Sequence, residues 1–486
     1  MKKLFKISSV ALFTIVFAAT GCNKVSDFGD TNVNPGGTAT PVTAALLTNV
    51  LSTLGNYATN VTGGNYAQYF SETQYPGTSL YAAPINAFSG TYSAELYDLQ
   101  NIINQNTDPA TKTAAFASGS NANQIAIARI LKAYIFWTIT DRWGDIPYSE
   151  ALKGAAIKLP KYDKQSDIYV DLIKELKESV AQFDNNGVVA KGDILMNYAG
   201  TGTATVVNTK WKKFANSLRM LIALRASKVY PNAGQWSATE FAAALADANG
   251  YIATNADNVT QTYPNATFPN PWYANYVTSS RIDNAVTVFM MNTLTSTNDP
   301  RATSYGTNTV GFPYGLDRPH AILYTPGCFI LKGTASLATD PVNILTASVV
   351  TLARAEAAER GWTSEVAATL YASAITLSFT QFGYTAAQAT TYLAQPAIAY
   401  GTNNIQKIAT QRWIALFPDG TQAWAEWRRT GFPVLTPAPY AVNPSKAIVR
   451  RYMYGLDEYS LNAVNVAAAA AAMGGDGQDT HVWWDK

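Results

Sequence analysis

The chain has 486 residues, nearly balanced charge (35 Lys plus Arg against 33 Asp plus Glu) and only 14% charged residues. That balance excludes a strongly basic nucleic-acid-binding surface, and two histidines leave no room for a multi-histidine metal site or a histidine-rich catalytic centre. Two cysteines, Cys22 and Cys328, cannot supply a disulfide framework.

In chain order, the first element is a three-part leader. Lys2, Lys3 and Lys6 give it a basic start, Ile7 to Ala19 is mostly apolar, and Ala18-Ala19-Thr20-Gly21-Cys22 closes it with small residues. The apolar part is too short to span a bilayer, so residues 1–21 read as a secretory signal. A cysteine directly after the small residues reads as a lipidation site, with an ordinary secretory signal as the alternative. Multiple acylation at Cys22 would anchor the chain stably to a membrane surface. Loss of the three leader lysines brings the mature net charge near −1. Residues 22–40 hold the lipidated cysteine and a tether rich in Asn, Gly, Thr and Asp. Residues 41–486 follow as one domain.

Helical periodicity dominates that domain. Asn121 to Thr140 is apolar almost all round, as a buried helix requires. Asp163 to Phe183 sets Ile168, Leu172, Ile173, Leu176, Val180 and Phe183 in one stripe, opposite Lys174, Glu175, Lys177 and Glu178. Trp211 to Ser227 repeats the pattern, and Val350–Arg360 and Gln411–Arg429 are two further helical segments. Residues 187–209 and 254–346 have no periodicity and are rich in Gly, Pro, Asn, Thr and aromatics, as functional loops are. No later run of 18 apolar residues exists.

Several segments together resemble the SusD/RagB family of outer-membrane nutrient-binding lipoproteins of Bacteroidota. They are Asp30–Pro35, Ala128–Tyr134 with Thr140–Tyr148, Pro160–Asp163 through Ile168–Tyr169, and Lys210–Arg219. Ala355–Ala357 with Arg360–Trp362, Trp413–Phe417, Ala423–Gly431 and Val482–Asp485 follow in the same order. Their residue types read as scaffold: Gly144 permits positive φ, Pro147 stops a helix, and Asp141 or Asp145 can bond backbone amides of the turn. Lys212 and Lys213 can pair with acidic neighbours or cover apolar surface with their stems, while Arg428 and Arg429 suit a helix C-terminus.

The resemblance implies a predominantly α-helical SusD-like fold, with tetratricopeptide-like helix pairs as scaffold and long irregular loops on the ligand-facing side. It further implies a cell-surface lipoprotein of the outer membrane, without catalysis or cofactor. Such a protein captures oligosaccharide or polysaccharide and delivers it to a SusC-like TonB-dependent transporter. Membrane contact is through the lipid anchor alone. The alternatives are the same role for peptides, a surface glycoside hydrolase built on two carboxylates, or a purely structural surface protein. Asp283, Asp299 and Asp317 fall in loops, where turn and capping roles are the ordinary use of aspartate.

Sugars present apolar C–H faces ringed by hydroxyls, so a glycan site needs exposed flat aromatics beside polar side chains. The candidates are Tyr263, Trp272, Tyr273 and Tyr276, which share a loop with Phe268, Asn265, Asn270, Asn275, Arg281 and Asp283. Tyr75 and Tyr81 occupy a Gly-Pro-Ser loop, and Tyr314 stands with Phe312, Arg318 and His320. No metal site is expected.

Overall fold

Hydrophobic periodicity becomes a helical core. A computed structural model describes residues 41–82, 86–324, 328–330 and 337–486, with Thr43–Lys486 forming one compact unit. The signal segment, Cys22, the whole tether and with it the Asp30–Pro35 motif lie outside the described residues. The principal helices are α1 (Thr43–Thr53), α2 (Tyr97–Thr107), α3 (Asn121–Trp143), α4 (Gln165–Gln182), α5 (Ala204–Arg225) and α6 (Trp236–Leu245). They continue with α7 (Ala347–Glu359), α8 (Ala367–Gln381), α9 (Asn404–Ala415), α10 (Gly420–Thr430) and α11 (Ala463–Met473). Sequence neighbours pack together, α3 on α4, α5 on α6, α7 on α8 and α9 on α10, giving the tetratricopeptide-like scaffold. Among the described residues no helix is long and apolar enough to cross a membrane.

Helix α3 is buried at 17 of its 23 positions, as its almost continuous apolar pattern requires. Gly144 ends it with φ +84°, where a Cβ would meet Met473 Sδ at 2.5 Å. Two segments differ from expectation. Gln411–Arg429 is two helices rather than one, because Pro418 has no amide hydrogen to donate. Asp419 then restarts the chain by accepting from the Gln422 amide at 3.0 Å. Helix α5 begins earlier than Trp211, at Ala204, capped by Thr203. The aperiodic stretch 254–346 contains strands β4 (Val259–Gln261), β5 (Asn284–Val286) and β6 (Val342–Leu345) and short helices such as Val288–Thr295. With β1 (Phe70–Glu72), β2 (Ile146–Pro147) and β3 (Tyr162–Asp163), these form two-stranded antiparallel ladders β1–β5, β2–β3 and β4–β6.

An ion-pair network crosses the core. Glu356 of α7 accepts from Arg429 of α10 at 2.5 and 2.6 Å, and Glu426 takes the same guanidinium at 2.8 Å. Arg412 of α9 faces both carboxylates. The guanidiniums hold both glutamates well below the usual carboxylate range, against desolvation that pushes the other way. Arg429, in the last turn of α10 as its helix-end reading expects, is also a core ion-pair partner. Arg428, in the same last turn, has its guanidinium 3.7 Å from the Trp424 ring and 4.6 Å from the Trp484 ring. Asp145 accepts from the Gln165 amide at 2.9 Å, whereas Asp141 accepts from the Tyr169 hydroxyl and the Trp484 indole and, among the described residues, from no backbone amide. Lys213 pairs with Asp257 at 2.6 Å, while Lys212 lies over the Phe183 ring.

Candidate functional site

The β1–β5 ladder brings distant loops to one place. Glu72 pairs with Asn284, and the Thr73 amide donates to the Asp283 carbonyl at 2.8 Å. The loop leaving β1 and the loop entering β5 therefore emerge side by side. Glu72 folds the first of them by accepting from the amides of Gly77 and Ser79 at 2.7 and 3.0 Å. Phe312 extends the arrangement, bonding both Val286 and Val288 through its backbone. This carries in the segment that ends at Asp317, which caps the short turn Arg318–Ala321 by accepting from the His320 amide. A fourth stretch arrives from beyond α10: the Val442 amide donates to the Leu80 carbonyl at 2.8 Å.

At the convergence lies an open surface. Tyr75 is 64% exposed, and the guanidiniums of Arg318 and Arg281 lie 5.6 and 6.0 Å from its ring centroid. Arg281 Nε also donates to Asp283 at 2.6 Å. His320, paired with Asp317, sits against the Tyr440 ring with centroids 5.0 Å apart and an interplanar angle of 30°. Flat rings, hydrogen-bond donors and carboxylate acceptors thus stand on neighbouring loops, the combination that a sugar's C–H face and hydroxyls require.

Of the seven aromatics proposed from sequence, Tyr75 is the one placed as an exposed platform. Tyr81 and Tyr314 are not exposed platforms; their rings pack against each other with centroids 6.5 Å apart. Tyr81 is buried with φ +62°, and its hydroxyl accepts from the Ala438 amide at 3.0 Å. Tyr314 donates to the Asn65 carbonyl at 2.8 Å. Trp272 departs from the expectation of a platform, being 1% exposed. The reason is local: Asn270, itself buried, accepts from the Trp272 amide at 2.8 Å and turns the indole inward against Phe70 and Tyr276. Tyr276 spends its hydroxyl on the Asn284 carbonyl at 2.9 Å. Tyr263 is buried against Gly55, and Tyr273 is half-buried with no ring partner among the described residues. These four do not join the Tyr75 surface.

Sequence reasoning placed Tyr75, Arg281 with Asp283, and Arg318 with His320 in three separate loops; the fold brings them together. It missed Tyr440. The available signal was an aromatic in the segment punctuated by Pro433, Pro437, Pro439 and Pro444, which the helical pattern of α10 overshadowed. Among the described residues, no group of three His, Cys, Asp or Glu side chains could hold a metal ion.

Comparison with known proteins gives a consistent picture. Residues 35–455 match the SusD-like model described as starch-binding associating with outer membrane. A SusD homologue from Bacteroides uniformis shares 27% identity at TM-score 0.78, covering 92% of this chain and 99% of its own. A chitin-binding protein, also 27% identical, aligns at TM-score 0.75 over 91% of this chain and 99% of its own. A chitin-binding SusD homologue from Flavobacterium johnsoniae, 23% identical with coverages of 91% and 98%, shares the fold at TM-score 0.76. No curated protein matches the chain.

Proposed function

Because this chain belongs to the SusD-like family, we propose that it is a non-catalytic outer-membrane lipoprotein that captures glycan at the cell surface. It would be anchored through Cys22 and would pass its cargo to a SusC-like TonB-dependent transporter. The observation that carries the reading is the exposed Tyr75 ring flanked by Arg281 and Arg318, beside the His320–Tyr440 pair. An extended glycan gains affinity by adding weak stacking contacts along such a row. Two relatives bearing chitin in their names support the class of cargo.

The test is calorimetry of the full chain against a panel of neutral glycans, acidic glycans and peptides, with a parallel assay for cleavage products. Saturable glycan binding without cleavage supports capture. Release of new reducing ends overturns the non-enzymatic reading, and binding confined to peptides moves the cargo class.

A further inference from the structure

A polar groove of about 530 Å³ lies between α2, α3 and α4. Each helix supplies residues at three- or four-residue spacing, so they share a face: Tyr97, Gln100 and Asn101 from α2, Arg129 and Lys132 from α3, and Asp171 and Glu175 from α4. For α3 this is anomalous. The helix is otherwise buried through its middle, and Arg129 and Lys132 form its single polar notch there.

The acidic groups of the groove are already matched. Glu175 accepts from Arg129 Nε and Nη2 at 2.8 and 2.9 Å. Asp171 accepts from the Tyr148 hydroxyl at 2.8 Å and has the Lys174 ammonium 3.6 Å away. Lys132 differs. Among the described residues its Nζ donates only to Gln100 Oε1, at 2.6 Å, although an ammonium has three hydrogens to give. That acceptor is neutral, and its amide is oriented by Gln100 Nε2 donating to Asn104 Oδ1 at 2.8 Å. Burial disfavours the Lys132 charge and lowers its pKa, so a ligand oxygen carrying negative charge would restore what desolvation removes. Lys153, at the rim, adds a second cation without an ion-pair partner among the described residues. The groove volume lies within the range that holds a small ligand, and Tyr97, 47% exposed, offers a ring face at the mouth.

We propose that this groove is a second binding site, specific for a compact hydroxylated carboxylate of the hexuronic-acid class. The carboxylate meets Lys132, and ring hydroxyls meet the amides of Asn101 and Gln100. The same chemistry is offered by a free uronic acid and by the terminal residue of an acidic oligosaccharide.

The experiment is calorimetry of the full chain with glucuronate, trigalacturonate and glucose, repeated on Lys132→Met, Asn101→Asp and Tyr75→Ala. Saturable binding of one or both acids, at least tenfold tighter than glucose, is expected. Lys132→Met should lower glucuronate affinity tenfold or more, whereas Tyr75→Ala, which removes the platform of the other surface, serves to separate trigalacturonate bound there from acid bound in the groove. Asn101→Asp, on the helix surface, places a negative charge in the groove and should weaken binding too; it serves if Lys132→Met fails to fold by circular dichroism. Equal binding of monosaccharide and trisaccharide assigns the site to free acid, and preference for the trisaccharide assigns it to a glycan end. Glucose binding as tightly as the acids, no acid binding, or unchanged affinity in the folded Lys132 and Asn101 variants overturns the proposal.

Discussion

The amide of Thr73 donates to the carbonyl of Asp283 at 2.8 Å, and this backbone bond continues the β1–β5 ladder by one residue. Two residues later in one strand direction stands Tyr75, and two residues earlier in the other stands Arg281. Strand register brings the two loops together, and the Arg281 guanidinium then lies 6.0 Å from the Tyr75 ring centroid on an open surface.

Tyr75→Ala tests that surface. The side chain is 64% exposed, so its removal should change stability by no more than about 0.5 kcal/mol. Glycan affinity should fall roughly tenfold, one stacking platform's worth. Calorimetry and a melting curve on the same variant separate the two effects; retained affinity would remove Tyr75 from the site.

Trp272→Ala should behave in the opposite way. The indole is packed between Phe70 and Tyr276, with ring centroids 5.0 and 5.7 Å away. Truncation there should cost about 3–5 kcal/mol in urea unfolding. Affinity per folded molecule should be unchanged, and a specific loss in a normally stable variant would contradict the core assignment.

Glu356→Gln should destabilise the fold by about 3–5 kcal/mol, since it leaves Arg412 and Arg429 buried with one carboxylate between them. In a double-mutant cycle, adding Arg429→Met should cost less than the two single losses together. Additive losses would mean that the pair is not coupled.

Asp419 predicts a pH effect. Its buried carboxyl is pushed up to about 7 by desolvation, from an ordinary value of 3.8. The folded chain therefore holds a proton that the unfolded chain releases, and stability declines as pH climbs through that window, by about 1.4 kcal/mol per unit at the steepest. Above pH 7 the full penalty is present. Asp419→Asn keeps an acceptor for the Gln422 amide and should match the parent near pH 4 while exceeding it by a few kcal/mol at pH 8. Parallel stability profiles from pH 4 to 8 would refute the assignment.

Elements with strong periodicity were legible in the sequence. Helices α3 and α4 end within a few residues of where their apolar stripes do, because burial rewards the same spacing that the eye detects. The break at Pro418 was missed because apolar residues continue on both sides of it. In the site, residue types were legible and burial was not. Trp272 and Tyr75 sit in equally polar, proline-containing loops, and what separates them is a single cap from Asn270, visible only once the chain is folded. Tyr440 escaped notice because its neighbours in space are remote in sequence.

The loops that form the Tyr75 surface are held together at their bases largely by backbone amides and carbonyls: Thr73 to Asp283, Phe312 to Val286, Val442 to Leu80. Such bonds do not depend on which side chains the loop tips carry. The tips can be rewritten one at a time, leaving the Glu356–Arg429 interior untouched, so one scaffold can be re-aimed at a different polymer by grafting short segments. Specificity in this architecture is a detachable property, and stability is not.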